Sequence, residues 1–130
     1  MKAYVEPGEQ LALELYVRNV KESAQFYRQF GFEIVREEPD FVELRWESAI
    51  LMLEEVSDAP ATQFPAGNVR VMVPNVDDYW ALSQKLGVKV IREIGDRHYG
   101  LRDFTILGPD GIGLRFASWL ADSSIPHDRT

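Results

Sequence analysis

Residues 98–117 read HYGLRDFTILGPDGIGLRFA, and this stretch decides the fold. Apolar side chains alternate on both sides of the tetrapeptide GPDG at 108–111, in which proline presets one backbone angle, aspartate bonds its own backbone and glycine relaxes the exit. Because alternation with a period of two is typical of a sheet with one buried face, the stretch predicts two antiparallel strands joined by a turn. The other face carries Arg115, and its binding partner is the functional question.

The composition limits the classes of protein that the chain can belong to. Its 130 residues are enough for one domain with a single core, and the absence of cysteine excludes disulfides and thiolate chemistry. A net charge of −7 argues against a nucleic-acid partner, since such proteins need a basic surface. No apolar run approaches the roughly 18 residues of a membrane span, and the N-terminus lacks the apolar segment of a signal peptide. We therefore expect a cytoplasmic protein without a membrane or nucleic-acid partner.

The sequence contains an internal repeat. An offset of 56 residues pairs Asn19 with Asn75 and Gly31 with Gly87, so that each copy has a helix between an asparagine cap and a closing glycine. A strand precedes each helix and three strands follow it. A chain that matches itself in this way is two copies of one supersecondary unit, here strand–helix–strand–strand–strand.

The boundaries of the repeat follow from the same patterns. In the first copy, Leu11, Leu13, Leu15 and Val17 are expected to face the core, and in the second helix Trp80, Leu82 and Leu86 are expected to form the apolar side. A longer loop in the second copy, 95–101, raises the offset to 63 and pairs Phe41 with Phe104. The predicted organisation is a single domain made of module 1 (about 10–56), a linker (57–66), module 2 (about 67–118) and a C-terminal tail (119–130).

This duplicated unit resembles the glyoxalase/bleomycin resistance/dioxygenase superfamily, also called the vicinal oxygen chelate superfamily. The segments YGLRDF at 99–104, PDG at 109–111 and LRF at 114–116 are similar to its bleomycin-resistance-protein-like branch. The resemblance implies an α+β fold in which two tandem βαβββ modules form a concave, barrel-like mixed sheet with the helices outside. It also implies a homodimer, in which residues 1–10 are either an arm crossing to the partner or a disordered end.

The resemblance raises the question of a metal. In the metal-using members, four ligands come from the cavity face of the first and last strand of each module, and the repeat places these positions at Ala12, Met52, Asn68 and Arg115. A methyl, a thioether, an amide and a guanidinium cannot hold a divalent ion, so we expect neither a metal nor another cofactor. The carboxylates Glu14 and Glu54 remain open to two interpretations, either weak cation binding through waters or pairing with the pocket arginines.

Without a metal, the concave faces still predict a pocket for a small-molecule ligand. Aromatic and methionine side chains suit burial and stacking of a planar organic molecule. The candidate ligand-binding residues are Glu14, Tyr16, Phe41, Trp46, Met52, Glu54, Asn68, Arg70, Met72, Tyr99, Arg102 and Arg115. We expect no catalytic residue among them, and we interpret His98 and His127 as exposed residues.

Three functions are compatible with this pocket. The first is sequestration of a drug-like or aromatic compound, as in antibiotic resistance. The second is a metal-dependent lyase, isomerase or dioxygenase with a weak, non-standard site. The third is a non-catalytic dimeric module with a vestigial pocket.

Overall fold

In the computed structural model of the chain, residues 7–60 and 64–120 are described. The chain divides into two compact units, Met1–Ala61 and Thr62–Thr130. Each contains one helix and four strands in the predicted order. The helices are α1 (Val20–Phe30) and α2 (Val76–Leu86), and a short 3-10 turn covers Pro7–Glu9. The strands are β1 (Leu13–Val17), β2 (Glu33–Glu38), β3 (Phe41–Trp46), β4 (Ala49–Glu55), β5 (Asn68–Met72), β6 (Val90–Asp96), β7 (Leu101–Leu107) and β8 (Gly113–Trp119).

Both units have the same sheet topology. The strand order is β1-β4-β3-β2 in the first sheet and β5-β8-β7-β6 in the second, with the first-listed pair of each sheet parallel and the remaining pairs antiparallel. The α+β class and the duplicated βαβββ unit are confirmed. Each sheet keeps two edge strands, so neither sheet is closed into a barrel.

The helices begin and end where their capping residues predict. Asn19 accepts a hydrogen bond from the Glu22 backbone N–H at 3.0 Å, and Asn75 accepts one from Asp77 at 3.1 Å. Gly87 ends α2 in the left-handed conformation, with φ of 69°. Within the described residues, neither helix is long and apolar enough to cross a membrane.

The predicted turn at residues 108–111 is also confirmed. The Gly111 N–H donates to the Gly108 carbonyl at 3.1 Å, and the Ile112 N–H donates to the Asp110 carboxylate at 3.1 Å. Leu107 and Gly113 close the ladder on either side of the turn. This hairpin fixes which side chains of β7 and β8 share a face.

The core of the first unit differs from the prediction at its start. Leu15 and Val17 are buried, but Leu13 is 44% exposed and Leu11 is 86% exposed. The reason is that β1 begins only at Leu13, so that Leu11 precedes the strand and pairs with no neighbour in the sheet. The expected run of four core leucine and valine positions is therefore wrong in its first half.

The packing of α2 is also partly different. Trp80 packs against Phe104 in the sheet, with ring centroids 5.2 Å apart, as the apolar stripe predicts. Leu86, in contrast, is exposed at the end of the helix, while the small side chain of Ser83 is buried and donates to the Trp80 carbonyl at 2.7 Å. A polar side chain that forms its hydrogen bond within the helix can take a core position, and periodicity alone does not identify it.

The strand register corrects one pairing of the repeat. Phe41 lies opposite Glu54, whereas Asp103 lies opposite Ala117, the counterpart of Glu54 at an offset of 63. Asp103, not Phe104, is therefore the structural counterpart of Phe41, and the offset for this strand is 62. The missing residue is recovered in the turn of the hairpin: the positions equivalent to Trp46 and Ala49 are 108 and 112, and they enclose three residues instead of two. A shift of one residue moves every side chain to the opposite face of a sheet.

Candidate functional site

The second sheet has one face that packs on α2 and a second face that points away from it. Tyr79 of α2 stacks on Phe116 at 4.7 Å between ring centroids, which assigns the even-numbered side chains of β8 to the helix side. Because side chains alternate along a strand, Arg115 and Ala117 belong to the other face. We call this second surface the arginine face, since three arginines of adjacent strands lie on it.

A row of aligned positions crosses the arginine face. Arg70 of β5 lies directly opposite Arg115 of β8, Arg115 lies opposite Thr105 of β7, and Thr105 lies opposite Arg92 of β6. Directly opposed residues on neighbouring strands point to the same side of a sheet, about 5 Å apart. Three of the four positions in this row therefore carry a guanidinium group.

A buried carboxylate anchors the arginine face. Asp103 has no exposed surface, and its carboxylate accepts a hydrogen bond from the Arg97 Nε at 2.8 Å and from the Arg115 Nε at 3.2 Å. The Arg115 Nη2 also donates to the same carboxylate. A buried charge is stable only when it is paired and hydrogen bonded, and Asp103 satisfies both conditions.

Tyr99 joins this network from the loop between β6 and β7. Its hydroxyl donates to Asp103 at 3.0 Å and accepts a hydrogen bond from the Arg115 Nη2. Arg97 also binds the loop to the sheet, because its Nη2 donates to the backbone carbonyls of Glu93 at 2.6 Å and of Asp103 at 3.1 Å. The described residues contain no buried side-chain nitrogen or oxygen that lacks a partner.

The network sets the charge state of Asp103. Burial by itself would raise the pKa of the Asp103 carboxyl, but the hydrogen bonds from Arg115 and Arg97, with a smaller one from Tyr99, outweigh burial and lower the pKa below its usual value. Burial acts in the opposite sense on Arg115, and its ion pair with Asp103 raises the pKa of the guanidinium. Both groups are therefore ionised at neutral pH.

The corresponding face of the first sheet has a different character. Its central row contains Glu14, Met52, Glu43 and Arg36, in directly opposed positions. Glu43 accepts from the Arg45 Nε at 2.9 Å, and the Arg36 guanidinium carbon lies 5.1 Å from the centre of the Phe41 ring. At the position equivalent to Asp103, the first unit thus has Phe41, whose ring lies beneath the Arg36 guanidinium.

The two faces contain most of the predicted ligand-binding residues. On the first sheet lie Glu14, Tyr16, Phe41, Met52 and Glu54; on the second lie Asn68, Arg70, Met72 and Arg115, with Tyr99 reaching in from its loop. Tyr16 is 62% exposed and Met72 is 37% exposed, so both offer apolar surface to a ligand.

Trp46 lies on the opposite face of the first sheet from these residues. It packs edge-on against Phe32 at 5.1 Å between ring centroids, and its ring lies beside Gly31 at the end of α1. Phe41 and Trp46 are five residues apart in one strand, so strand alternation cannot place both on the same side. Phe41 has the position expected for a face residue, and Trp46 is part of the helix-side packing.

Arg102 also lies on the helix side. Its Nε and Nη2 donate to Asp77, in the first turn of α2, at 3.2 and 3.0 Å, and its Nη1 donates to Asp96 at 2.9 Å. These two carboxylates raise the pKa of the Arg102 guanidinium. Arg102 and Asp103 are consecutive in β7, so their side chains point to opposite faces of the sheet. The Arg102 side chain therefore lies between β7 and α2.

Sequence reasoning missed the role of Asp103. Pairing with Glu14 or Glu54 was one of the interpretations left open for the pocket arginines, but the partner of Arg115 is a carboxylate on the adjacent strand of its own sheet. A signal was present, because a charged residue inside the apolar run LRDFTIL must be paired if it is buried. Arg97 was also missed, because nothing in the sequence shows that the loop folds back onto β7.

The donor set of the expected metal positions does not fit a metal ion. Ala12 precedes β1, Met52 offers a thioether, Asn68 offers one amide, and the Arg115 guanidinium is bonded to Asp103 and Tyr99. Across residues 7–60 and 64–120, no three His, Cys, Asp or Glu side chains are grouped so that they could hold a metal. His98 is exposed in the loop between β6 and β7, and His127 lies outside the described residues.

Comparison with known proteins gives a consistent result. The family model of the Glyoxalase/Bleomycin resistance protein/Dioxygenase superfamily matches residues 10–116. No functionally curated protein matches the chain.

Solved structures with the same fold include proteins named for different functions. A glyoxalase/bleomycin resistance protein/dioxygenase from Nocardioides is 18% identical, with a TM-score of 0.74 over 96% of this chain and 92% of that one. A lactoylglutathione lyase from Agrobacterium tumefaciens is 19% identical, with a TM-score of 0.68 over 87% and 96%. A bleomycin-binding protein complexed with bleomycin is 18% identical, with a TM-score of 0.66 over 85% and 98%. At these identities the likeness is evidence for the fold alone.

Proposed function

Because the chain belongs to the Glyoxalase/Bleomycin resistance protein/Dioxygenase superfamily, we propose that it is a metal-free binding protein that sequesters an organic small molecule. Its ligand would be drug-like or aromatic, and binding would lower the concentration of the free compound. A bleomycin-binding protein shares the fold, so the fold is compatible with this activity.

The observation that carries the proposal is the environment of Arg115. The family resemblance assigns a metal ligand to this position, yet the side chain is a cation whose Nε and Nη2 are bonded to Asp103 and Tyr99. A permanently charged guanidinium has no lone pair to offer a metal and repels it. The chemistry of metal-using relatives depends on a Lewis acid at this site. This chain has an organised cation there instead.

Exposed apolar groups on the same faces support a role in binding. Tyr16 and Met72 occupy equivalent positions in the two units at the offset of 56, and each presents apolar surface to solvent. Aromatic rings and thioethers adapt well to flat organic ligands, because they contribute contact area without a fixed polar geometry.

A weak metal site on Glu14 or Glu54 is the basis of the alternative function, a metal-dependent lyase, isomerase or dioxygenase. These carboxylates are neighbours around Met52, and Glu43 lies on its other side. Glu43 is paired with Arg45, however, which leaves the exposed carboxylates of Glu14 and Glu54 in two neighbouring rows. Two such groups hold a hard cation only loosely.

The proposal can be tested by ligand titration and elemental analysis of protein purified without chelator. Aromatic and bleomycin-like compounds are titrated while tryptophan fluorescence and the melting temperature are followed; a ligand at 100 times its Kd should stabilise the fold by about 2.7 kcal/mol. Tyr16→Ala should then raise the Kd roughly fivefold, since an aromatic contact contributes about 1 kcal/mol. Leu86→Ala is the matched control, because this exposed side chain is on α2, which packs on the side of the second sheet opposite the arginine face.

Two results would contradict the proposal. Stoichiometric zinc, nickel, manganese or iron in the purified protein would favour the enzyme. No thermal shift with any compound of a broad library would favour a module with a vestigial pocket.

A further inference from the structure

We propose that Arg70 and Arg115 form an oxyanion subsite, which binds a carboxylate or phosphate group of the ligand. This inference rests on the proposed small-molecule binding function and specifies the chemical class of the ligand. It depends on the charge balance of the arginine face and on the way in which Arg115 is held.

The charge balance of the arginine face is strongly positive. Arg70, Arg92 and Arg115 lie in one row of the face, and Arg97 joins them from the loop, but a single buried carboxylate, Asp103, binds only Arg97 and Arg115. Within residues 64–120, neither Arg70 nor Arg92 has a hydrogen-bond or ion-pair partner. Like charges directly opposite each other in a sheet destabilise it, so the pairing of Arg70 with Arg115 has a cost that an anion would offset.

This local excess is notable because the chain as a whole has a net charge of −7. In an acidic protein, solubility does not require unpaired arginines in one row of a sheet. An excess of positive charge on one face, in contrast, attracts an anion and orients it.

Arg115 is held in a geometry suited to an anion. Asp103 and Tyr99 bind its Nε and Nη2, which leaves the Nη1 without a hydrogen-bond acceptor among the described residues. The side chain is 19% exposed, so it is partly desolvated but still accessible. A guanidinium fixed in this way loses little rotamer freedom when it binds, and planar oxyanions match its donors.

Two neighbours complete the subsite. Arg70 is exposed and lies directly opposite Arg115 in the same row, so it supplies a second cation. Asn68 lies one pleat away on β5, and its amide oxygen occupies the space that a Cβ at Gly113 would fill, with the two atoms 2.1 Å apart. The absence of a side chain at Gly113 thus lets Asn68 lie over the strand next to Arg115.

The test compares aromatic probes of similar shape and different charge. The probes are 1-naphthoate, 1-naphthyl phosphate and the neutral 1-naphthamide, with inorganic phosphate as an anion lacking an organic group. Binding is measured by calorimetry and by the NMR signals of the arginine Nε–H groups in the full-length protein. We expect both naphthyl anions to bind at least tenfold more tightly than the amide, since hydrogen bonds to charged groups are about twice as strong as neutral ones.

Arg70→Gln is the decisive variant, because Arg70 is exposed and lies outside the hydrogen bonds of Asp103. It should weaken the anions about tenfold and leave the amide within about twofold, and the difference should shrink in high salt. Arg28→Gln, which removes the same charge from the exposed side of α1, should change neither. The relative affinities of 1-naphthoate and 1-naphthyl phosphate then identify the preferred anion.

Each outcome separates this inference from the proposed function. Equal binding of anion and amide, unaffected by Arg70→Gln, overturns the subsite and leaves small-molecule binding intact. Binding of inorganic phosphate that shifts the Arg115 signal, without binding of any naphthyl compound, supports the anion site and contradicts the organic pocket. If no probe binds at millimolar concentration, the anion subsite is overturned, and the library titration decides the proposed binding function separately.

Discussion

Replacing Asp103 with asparagine is the sharpest test of the buried network. Asparagine has nearly the same shape but no charge, so it leaves Arg97 and Arg115 facing each other without a carboxylate. Their side chains are 15% and 19% exposed, and Asp103 itself has no exposed surface. Removing one partner from a buried ion pair costs about 3–5 kcal/mol, and partial hydration of the arginines favours the lower end.

We therefore expect Asp103→Asn to lower the free energy of unfolding by about 3 kcal/mol at pH 7. For a domain of this size, that is a fall in Tm of roughly 10 °C. Urea and thermal unfolding measure both quantities. Glu38→Gln is the matched control, because Glu38 pairs with Arg36 at 3.1 Å on an exposed surface, and such pairs contribute less than about 1 kcal/mol.

The same variant has a defined pH dependence. The pKa of Asp103 is lower in the folded protein than the value of about 3.9 in the unfolded chain. Between these two values the unfolded chain binds more protons, so the stabilisation is complete above about pH 4 and is lost as the pH falls through the folded pKa. The difference in stability between wild type and Asp103→Asn should therefore shrink in acid. A difference below 1 kcal/mol at pH 7, or one that stays constant down to pH 3, would refute the reasoning.

Two further predictions follow from equivalent positions and from the family resemblance. Gly31→Ala should destabilise the protein by about 2–3 kcal/mol in thermal unfolding, and Gly87→Ala by about 1 kcal/mol. The reason is that φ at Gly31 is 121° and an added Cβ would lie 3.0 Å from the Trp46 ring, whereas nothing lies within 4 Å of an added Cβ at Gly87. Equal losses of stability in the two variants would contradict this. The protein should sediment as a homodimer of about twice its 14.9 kDa chain mass, and a single-chain mass at tens of micromolar would exclude the dimer.

The elements of the fold could be predicted because their signals are local. Asparagine caps, closing glycines and the GPDG turn act within a few residues, and the structure has all of them where the sequence places them. The face of a strand depends on register, which is set by the length of a hairpin and by packing across the sheet. That is why the pairing of Phe41 with Phe104 was wrong by one residue.

The candidate site could be predicted only in part, for a similar reason. Alternation within each strand correctly placed Arg70 and Arg115 on one face, because the two residues lie opposite each other in a single pair of neighbouring strands. The binding of Arg102 to α2 joins residues 25 positions apart, and the pairing of Asp103 depends on how the loop before β7 and the adjacent strand β8 fold against it. No period in the sequence encodes such contacts, and only the requirement to pair a buried charge pointed towards them.

The loop between β6 and β7 has a consequence for engineering the chain. Exposed loop tips usually tolerate insertions, and this loop is the longer of the two equivalent connections. Its backbone, however, is closed by bonds from Arg97 to Leu101 at 2.7 Å and from Gly100 to Arg97 at 3.1 Å, and two of its side chains bind Asp103. A peptide tag or fluorescent reporter inserted here would separate Arg97 and Tyr99 from the sheet. Within residues 7–60 and 64–120, neither side chain of the two-residue turn at 47–48 forms a hydrogen bond or ion pair, so this turn is the better insertion point for a fusion.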